Sequence, residues 1–108
     1  MNILFVCSAN IDRSRTAEAI FTAKLPEHQF QSAGTNQEVC HACGTTLVTK
    51  EHICWANHIF VMEQKHLDYL KGLAPGLMED KVTVLDIPDR FKYLNAKLIA
   101  ILDEKVHI

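Results

Sequence analysis

The sequence lacks any strong imbalance of charge. Eleven Lys and Arg stand against thirteen Asp and Glu, a net charge of −2 over 108 residues. That excludes a broad basic surface for nucleic acid. No apolar run approaches the length of a membrane span. The N-terminal segment, Met1 to Cys7, has neither a cationic region nor a cleavable small-residue site, so it reads as a first strand and not as a signal peptide. A cytoplasmic location is the default expectation. There is no internal repeat, low-complexity tract or linker, so residues 1–108 are expected to form one domain with a modest core. Cysteine is sparse as well. Of Cys7, Cys40, Cys43 and Cys54, only Cys40 and Cys43 form a local pair. No second pair at metal-site spacing completes it, so no metal is expected, and nothing suggests the secretion that would make the four into disulfides.

What is present is an alternation of strand and helix patterns. Apolar residues make up 48% of the chain and charged residues 22%, as in an ordinary globular protein. Residues 2–6 form a continuous apolar run, expected of a strand covered on both faces. A helix follows from about Ser14 to Lys24, with Ala17, Ile20, Phe21 and Leu25 on one face and Pro26 as its stop. Gln29 to Ala33 reads as a second strand ended by Gly34. The polar stretch 35–47 is not assigned. Thr49 is placed to cap a short helix ending near Ala56, with Val48 and Ile53 as a hydrophobic staple. His58 to Met62 reads as a third strand, Gln64 to Leu73 as a helix, Lys81 to Leu85 as a fourth strand and Asp86 to Tyr93 as a loop. Asn95 caps a last helix with the stripe Leu94, Leu98, Ile101 and Leu102. The expectation is an α/β fold: a parallel four-stranded sheet with helices on both faces.

The segment after the first strand carries the chemistry. Cys7 and Arg13 bracket Cys7-Ser8-Ala9-Asn10-Ile11-Asp12-Arg13-Ser14, a cysteine followed after five residues by Arg-Ser. A loop between a buried strand and a helix N-terminus aims backbone N–H groups at one point, and the helix dipole adds partial positive charge. Such a place favours an anion, and a thiolate over a thiol. Arg13 adds a fork that fits two phosphate oxygens. Parallel sheets bind ligands beyond the carboxyl ends of their strands. That rim collects Cys7 after strand one, Glu63 and His66 after strand three, and Asp86 and Asp89 after strand four. His66 is thereby a candidate for touching the site, whereas His41, His52, His58 and His107 have no assigned chemistry.

Phe5 to Glu18 closely resembles the signature of the low-molecular-weight protein tyrosine phosphatases. Ser32-Ala33-Gly34-Thr35, Phe60-Val61-Met62-Glu63 and Ile87-Pro88-Asp89 resemble later segments of that family in the same order. The chain is most similar to a compact branch of it, the predicted protein tyrosine phosphatases. The resemblance implies a phosphomonoester hydrolase that needs no cofactor. Its substrate would be a phosphorylated protein or a small aryl phosphate, with phosphate or sulfate able to sit in the loop. By the same resemblance Cys7 is the nucleophile, Arg13 the phosphate clamp and Asp89, rather than Asp86, the general acid. The amides of Ser8, Ala9, Asn10, Ile11, Asp12 and Arg13 complete the cradle, Ser14 supports the Cys7 sulfur and Asn10 holds the loop's shape.

The sequence departs from that family pattern in several places. Ala9 stands where the family has Gly, so a positive φ there would be strained. Asp12 stands where many members have a second Cys. Its charge would weaken anion binding unless it points away or pairs with Arg15. Arg15 and Arg90 each replace a Pro, Arg90 puts a cation next to the general acid, and Phe91 takes the place of an aromatic that packs on the substrate ring. The alternative reading is a binding or regulatory module that keeps the phosphate cradle without turnover, motivated by Asp12 and the altered aspartate loop. Arsenate reduction would need a thiol relay to Cys7, and none of the other cysteines stands at a recognisable relay position. A phosphocarrier role is opposed by Arg13.

Overall fold

Alternating side chains along the first strand divide the protein into two cores. In the computed structural model, which describes residues 1–77 and 79–108, this strand is β1 (Asn2–Cys7). Ile3, Phe5 and Cys7 face one way and Leu4 and Val6 the other, as the period of two requires. Every one of these five is buried. After β1 the chain forms α1 (Arg13–Lys24), β2 (Gln29–Gly34), α2 (Gln37–Cys43), α3 (Lys50–Trp55), β3 (His58–Val61) and α4 (Gln64–Leu73). It continues through a 3₁₀ turn (Glu79–Lys81) to β4 (Val82–Val84) and α5 (Ala96–Lys105). The four strands are parallel in the order β2-β1-β3-β4. The fold is thus the expected α/β sheet.

The first core joins Ile3, Phe5 and Cys7 to Ala17 and Phe21 of α1 and to Leu98 and Leu102 of α5. The Phe5 ring stacks with Phe21, Phe30 and Phe60 at centroid distances of 5.7, 6.1 and 5.6 Å. Such pairs add to simple burial. The second core joins Leu4 and Val6 to Ile53 of α3 and to Leu67 and Leu70 of α4. Helices therefore cover both faces of the sheet.

Three local readings change. The unassigned stretch holds α2, capped by Asn36, whose side chain accepts from the Val39 N–H, and closed by Gly44 in the left-handed conformation at φ 67°. Lys81 belongs to the 3₁₀ turn and not to the strand; its ammonium donates to the carbonyls of Ile53 and Ala56 at the end of α3. Leu94 is not part of the last helix's buried stripe. It is 46% exposed at φ 60°, and the helix begins only after Asn95, whose Oδ1 accepts from the N–H groups of Lys97 and Leu98. The capping of α3 is as expected: Thr49 Oγ1 accepts from the His52 N–H, His52 Nδ1 accepts from the Thr49 N–H, and Val48 and Ile53 are buried together. No helix among the described residues is long and apolar enough to cross a membrane.

Strand order fixes where a ligand can sit. β1 is central, with β2 on one side and β3 on the other, so the chain leaves β1 in one direction and returns on the opposite flank. The crevice opens beyond the carboxyl ends of β1 and β3. The residues that follow those ends are Ser8 to Asp12 and Met62 to Glu63.

Candidate active site

The loop after β1 is shaped from behind. The carbonyl of Cys7 accepts from the Thr35 N–H, that of Ser8 from the Asn36 N–H, and that of Ala9 from the Thr45 hydroxyl at 2.7 Å. Among the described residues no peptide bond is cis, and in a trans peptide the C=O and the next N–H point in opposite directions. Drawing these three carbonyls backward therefore turns the N–H groups of Ser8, Ala9 and Asn10 to the other side of the loop. Gly34 is required by this arrangement. A Cβ there would lie 2.5 Å from the Ser8 carbonyl oxygen, 2.7 Å from Cys40 Sγ and 3.0 Å from the Asn10 nitrogen.

Asn10 carries the loop's one positive φ, 55°, and it is 3% exposed. The expected strain at Ala9 is absent, because the left-handed residue is its neighbour, and Asn tolerates that conformation better than most residues. The Asn10 amide Nδ2 donates to Ser14 Oγ and to Ser32 Oγ, both at 2.9 Å, while Oδ1 accepts from the Thr46 N–H. Ser32 in turn donates to Glu18. Ser14 Oγ lies 3.0 Å from Cys7 Sγ. Since Ser14 accepts from Asn10, its own proton is available to the sulfur. The chain of donors thus runs from Asn10 through Ser14 toward the Cys7 sulfur. Ala9 and Ile11 lie in the same loop and carry no polar side chain.

Arg13 is the first residue of α1 and is 1% exposed. A buried guanidinium needs partners. Nη1 donates to Glu63 Oε2 at 2.5 Å and to the Ile87 carbonyl at 2.7 Å. The guanidinium holds the Glu63 carboxyl below the ordinary carboxylate range. Anchoring through Nη1 leaves Nε and Nη2 as the edge suited to an oxyanion. On that edge Nε lies 3.8 Å from Asp89 Oδ1. The cation nearest Asp89 is therefore Arg13, whereas the Arg90 guanidinium lies over the Phe91 ring at 5.7 Å. Asp86, at φ 54°, is exposed and lines a shallow cleft with Glu63, Gln64, Lys65 and Pro88, a cleft that Cys7, Arg13 and Asp89 do not line.

Two side chains have a larger part than sequence reasoning gave them. Glu63 was visible only as a residue near the rim; the sequence signal was its place directly after an apolar strand. His66 is fully buried. Its Nδ1 accepts from the Glu63 N–H at 3.0 Å, so the ring proton is on Nε2, which donates to Ser8 Oγ at 2.9 Å. Burial, with Arg13 nearby, lowers its pKa to about 4. A neutral histidine thus ties α4 to the first residue of the loop.

Asp12 occupies the N-cap position of α1 yet makes no side-chain cap. Its Oδ1 accepts from the Tyr93 N–H at 2.8 Å, so the carboxylate is turned to the segment that follows β4, and it does not pair with Arg15. The remaining thiols are scattered. Cys40 is buried against the carbonyls of Ser8 and Ala9, while Cys43 and Cys54 are exposed. Among the described residues no group of three His, Cys, Asp or Glu converges as a metal site would.

The arrangement gathers a thiol, an inward-facing set of amides, a buried arginine and a flanking carboxylate. Comparisons place the chain as a whole. Residues 2–87 match the family model of the low molecular weight phosphotyrosine protein phosphatases. A probable low molecular weight protein-tyrosine-phosphatase of Erwinia amylovora is 33% identical over 94 residues, covering 70% of this chain and 65% of that protein, so the chain spans just under two thirds of that relative. An arginine phosphatase of Geobacillus stearothermophilus has a similar structure, with a TM-score of 0.72 and 30% identity over 95% of this chain and 84% of that one. Vibrio vulnificus Wzb, solved with benzylphosphonate, shares the fold at a TM-score of 0.76 and 24% identity, covering 96% and 92% of the two chains. With its signature loop, its sheet and most of its length accounted for in this way, the chain belongs to the low molecular weight phosphotyrosine protein phosphatase family.

Proposed function

We propose that residues 1–108 form one domain that hydrolyses phosphate monoesters of the aryl type through a phosphocysteine on Cys7. The observation that carries this reading is the juxtaposition of Cys7 Sγ, 3.0 Å from Ser14 Oγ, with the buried Arg13 at the foot of the same loop. In the first step the Cys7 thiolate attacks phosphorus and the bond from phosphorus to the aryl oxygen breaks. Asp89 gives its proton to the departing phenolate. The equatorial oxygens are held by the loop amides and by Nε and Nη2 of Arg13. In the second step the Asp89 carboxylate takes a proton from water as the water oxygen attacks phosphorus. The sulfur–phosphorus bond breaks, the thiolate is restored with Ser14 donating to it, and inorganic phosphate leaves.

The motive for an inactive binding module is weakened by the direction of Asp12, whose carboxylate is occupied by the Tyr93 amide. A thiol relay draws no support from Cys40, which packs on the carbonyl side of the loop and not on its amide side. The experiment is hydrolysis of phenyl phosphate by wild type and Cys7→Ser. The expected result is turnover by wild type, competitive inhibition by inorganic phosphate and none by the variant. Equal turnover by both proteins overturns the mechanism. Phosphate binding without turnover by wild type supports the binding module.

A further inference from the structure

The segment between Ile87 and Leu98 is exposed along almost its whole length, and it carries Asp89. Pro88, Asp89, Arg90, Lys92, Tyr93 and Leu94 are all exposed, and only Phe91 leans partly into the first core. Its internal backbone bonds are local: the Arg90 N–H to the Pro88 carbonyl and the Asn95 N–H to the Lys92 carbonyl. Among the described residues, two hydrogen bonds tie residues 88–94 to the body of the protein. Both come from the N-cap and first turn of α1, the helix that follows the phosphate loop. Asp12 Oδ1 accepts from the Tyr93 N–H at 2.8 Å, and Thr16 Oγ1 accepts from the Leu94 N–H at 2.9 Å. The Arg15 guanidinium adds a third hold, 5.6 Å over the Tyr93 ring.

The details indicate that this contact has a function beyond local packing. An aspartate at an N-cap ordinarily accepts from the second or third N–H of its own helix. Asp12 gives up that bond, which also leaves those N–H groups available to an anion in place of a competing carboxylate. Leu94 is held at φ 60°, a conformation that costs a leucine free energy and persists only where the surroundings enforce it. Asp12 and Arg15 are also two of the positions at which this sequence departs from the signature it otherwise resembles.

We propose that Asp12, assisted by Arg15 and Thr16, is a latch that holds the Asp89 segment over the phosphate loop, so that Asp12 is a positioning residue for proton donation. The inference rests on the phosphatase reading for its kinetic consequence but not for the contact itself. Releasing the latch leaves the cradle intact and lets Asp89 wander. A loss of that kind slows only those esters whose leaving group needs a proton.

The test compares Asp12→Ala, Asp12→Asn and Arg15→Ala on phenyl phosphate and on 2,4-dinitrophenyl phosphate, whose leaving group needs no proton. Amide exchange at Tyr93 and Leu94 is followed in parallel. Asp12→Ala is expected to slow phenyl phosphate by roughly 10- to 100-fold, the range for a misplaced catalytic group, and dinitrophenyl phosphate by less than about 3-fold. Inhibition by inorganic phosphate should be unchanged. Asp12→Asn, which keeps an acceptor oxygen, should restore most of the rate, and Arg15→Ala should act in the same direction as Asp12→Ala but more weakly. Exchange at Tyr93 and Leu94 should quicken in Asp12→Ala. Equal slowing of both esters, or weakened phosphate inhibition, would place Asp12 in the cradle and overturn the proposal. So would unchanged exchange. If wild type hydrolyses neither ester, the phosphatase reading fails on its own, and exchange decides whether the latch exists.

Discussion

The loop after β1 and the loop after β4, which in the proposed reaction supply its two halves, are built in opposite ways. The first is fixed from within. Asn10, Arg13 and Ser14 are buried, His66 binds Ser8 from α4, and the carbonyls of Cys7, Ser8 and Ala9 are each held by a different residue of the 35–45 segment. The second lies on the surface and is held by Asp12, Thr16, Arg15 and the contact between Arg13 and Asp89. A cradle for a charged transition state gains from rigidity, because preorganised dipoles need no rearrangement at the moment of reaction. A group that first gives a proton and then takes one from water must admit a substrate and release a product, which suits a more loosely held element. The contrast predicts that damage to the outer loop will appear in rate, while damage to the buried supports of the inner loop, Cys7 itself aside, will appear in stability.

Cys7 aside, whose loss should abolish turnover, the largest effect should come from the outer loop. Asp89→Asn is expected to lower turnover of phenyl phosphate by about 10²–10⁴-fold, the usual range for a lost general acid. Because its side chain is 66% exposed, the unfolding midpoint should barely move. Asp86→Asn, in the cleft that Asp89 does not line, should change the rate by less than about 3-fold, as for a residue outside the reacting groups. A leaving-group series checks both. A steeper dependence for the Asp86 variant, or no dependence for either, would reverse the assignment of the acid.

A smaller effect, on stability, should come from the inner loop. An unfolded histidine binds a proton near pH 6.5, whereas folded His66 does so only near pH 4. Between these values the unfolded state binds more protons, so His66 contributes stability that is complete above about pH 6.5 and is lost as pH falls toward 4. The loss amounts to up to roughly 3 kcal/mol. Glu63, held ionised by Arg13, adds a further loss only below the ordinary carboxylate range. Denaturant unfolding at a series of pH values should show this slope in wild type and a flatter one in His66→Gln. An unchanged slope would remove His66 from the account.

The two loops also differ in how far they could be read from sequence. Cys7, Arg13 and Ser14 were legible because their spacing is local and their setting, an apolar run followed by a helical pattern, fixes the geometry. The rim that gathers Glu63, His66 and Asp89 followed from strand alternation alone. What the sequence hid was long-range. Nothing local marks His66 as the partner of Ser8, 58 residues away, or Glu63 as the partner of Arg13 across 50 residues. Asp12 read as a misplaced charge because its partner is a backbone amide 81 residues on, and a backbone amide has no sequence signature. The strain expected at Ala9 fell one residue away, on Asn10, whose three hydrogen bonds pay for the conformation. By contrast α2 carries local signals: Asn36 and Gly44 bracket it as cap and terminator, around a CxxC whose spacing is also that of half a metal site. Leu94 fitted the apolar stripe of the last helix, yet the cap at Asn95 places it just outside, where the latch holds it.

The proposed reaction turns on the identity of the group that receives the phosphoryl unit. Rapid acid quenching during turnover of 2,4-dinitrophenyl phosphate, followed by mass spectrometry and phosphorus NMR, reads that group without reliance on rates. The predicted result is one phosphoryl adduct on the peptide containing Cys7, as a thiophosphate ester. It should be enriched in Asp89→Asn, where hydrolysis of the intermediate is slowed, and absent in Cys7→Ser. Turnover with no adduct at Cys7, or with the phosphoryl group on another side chain, would contradict it.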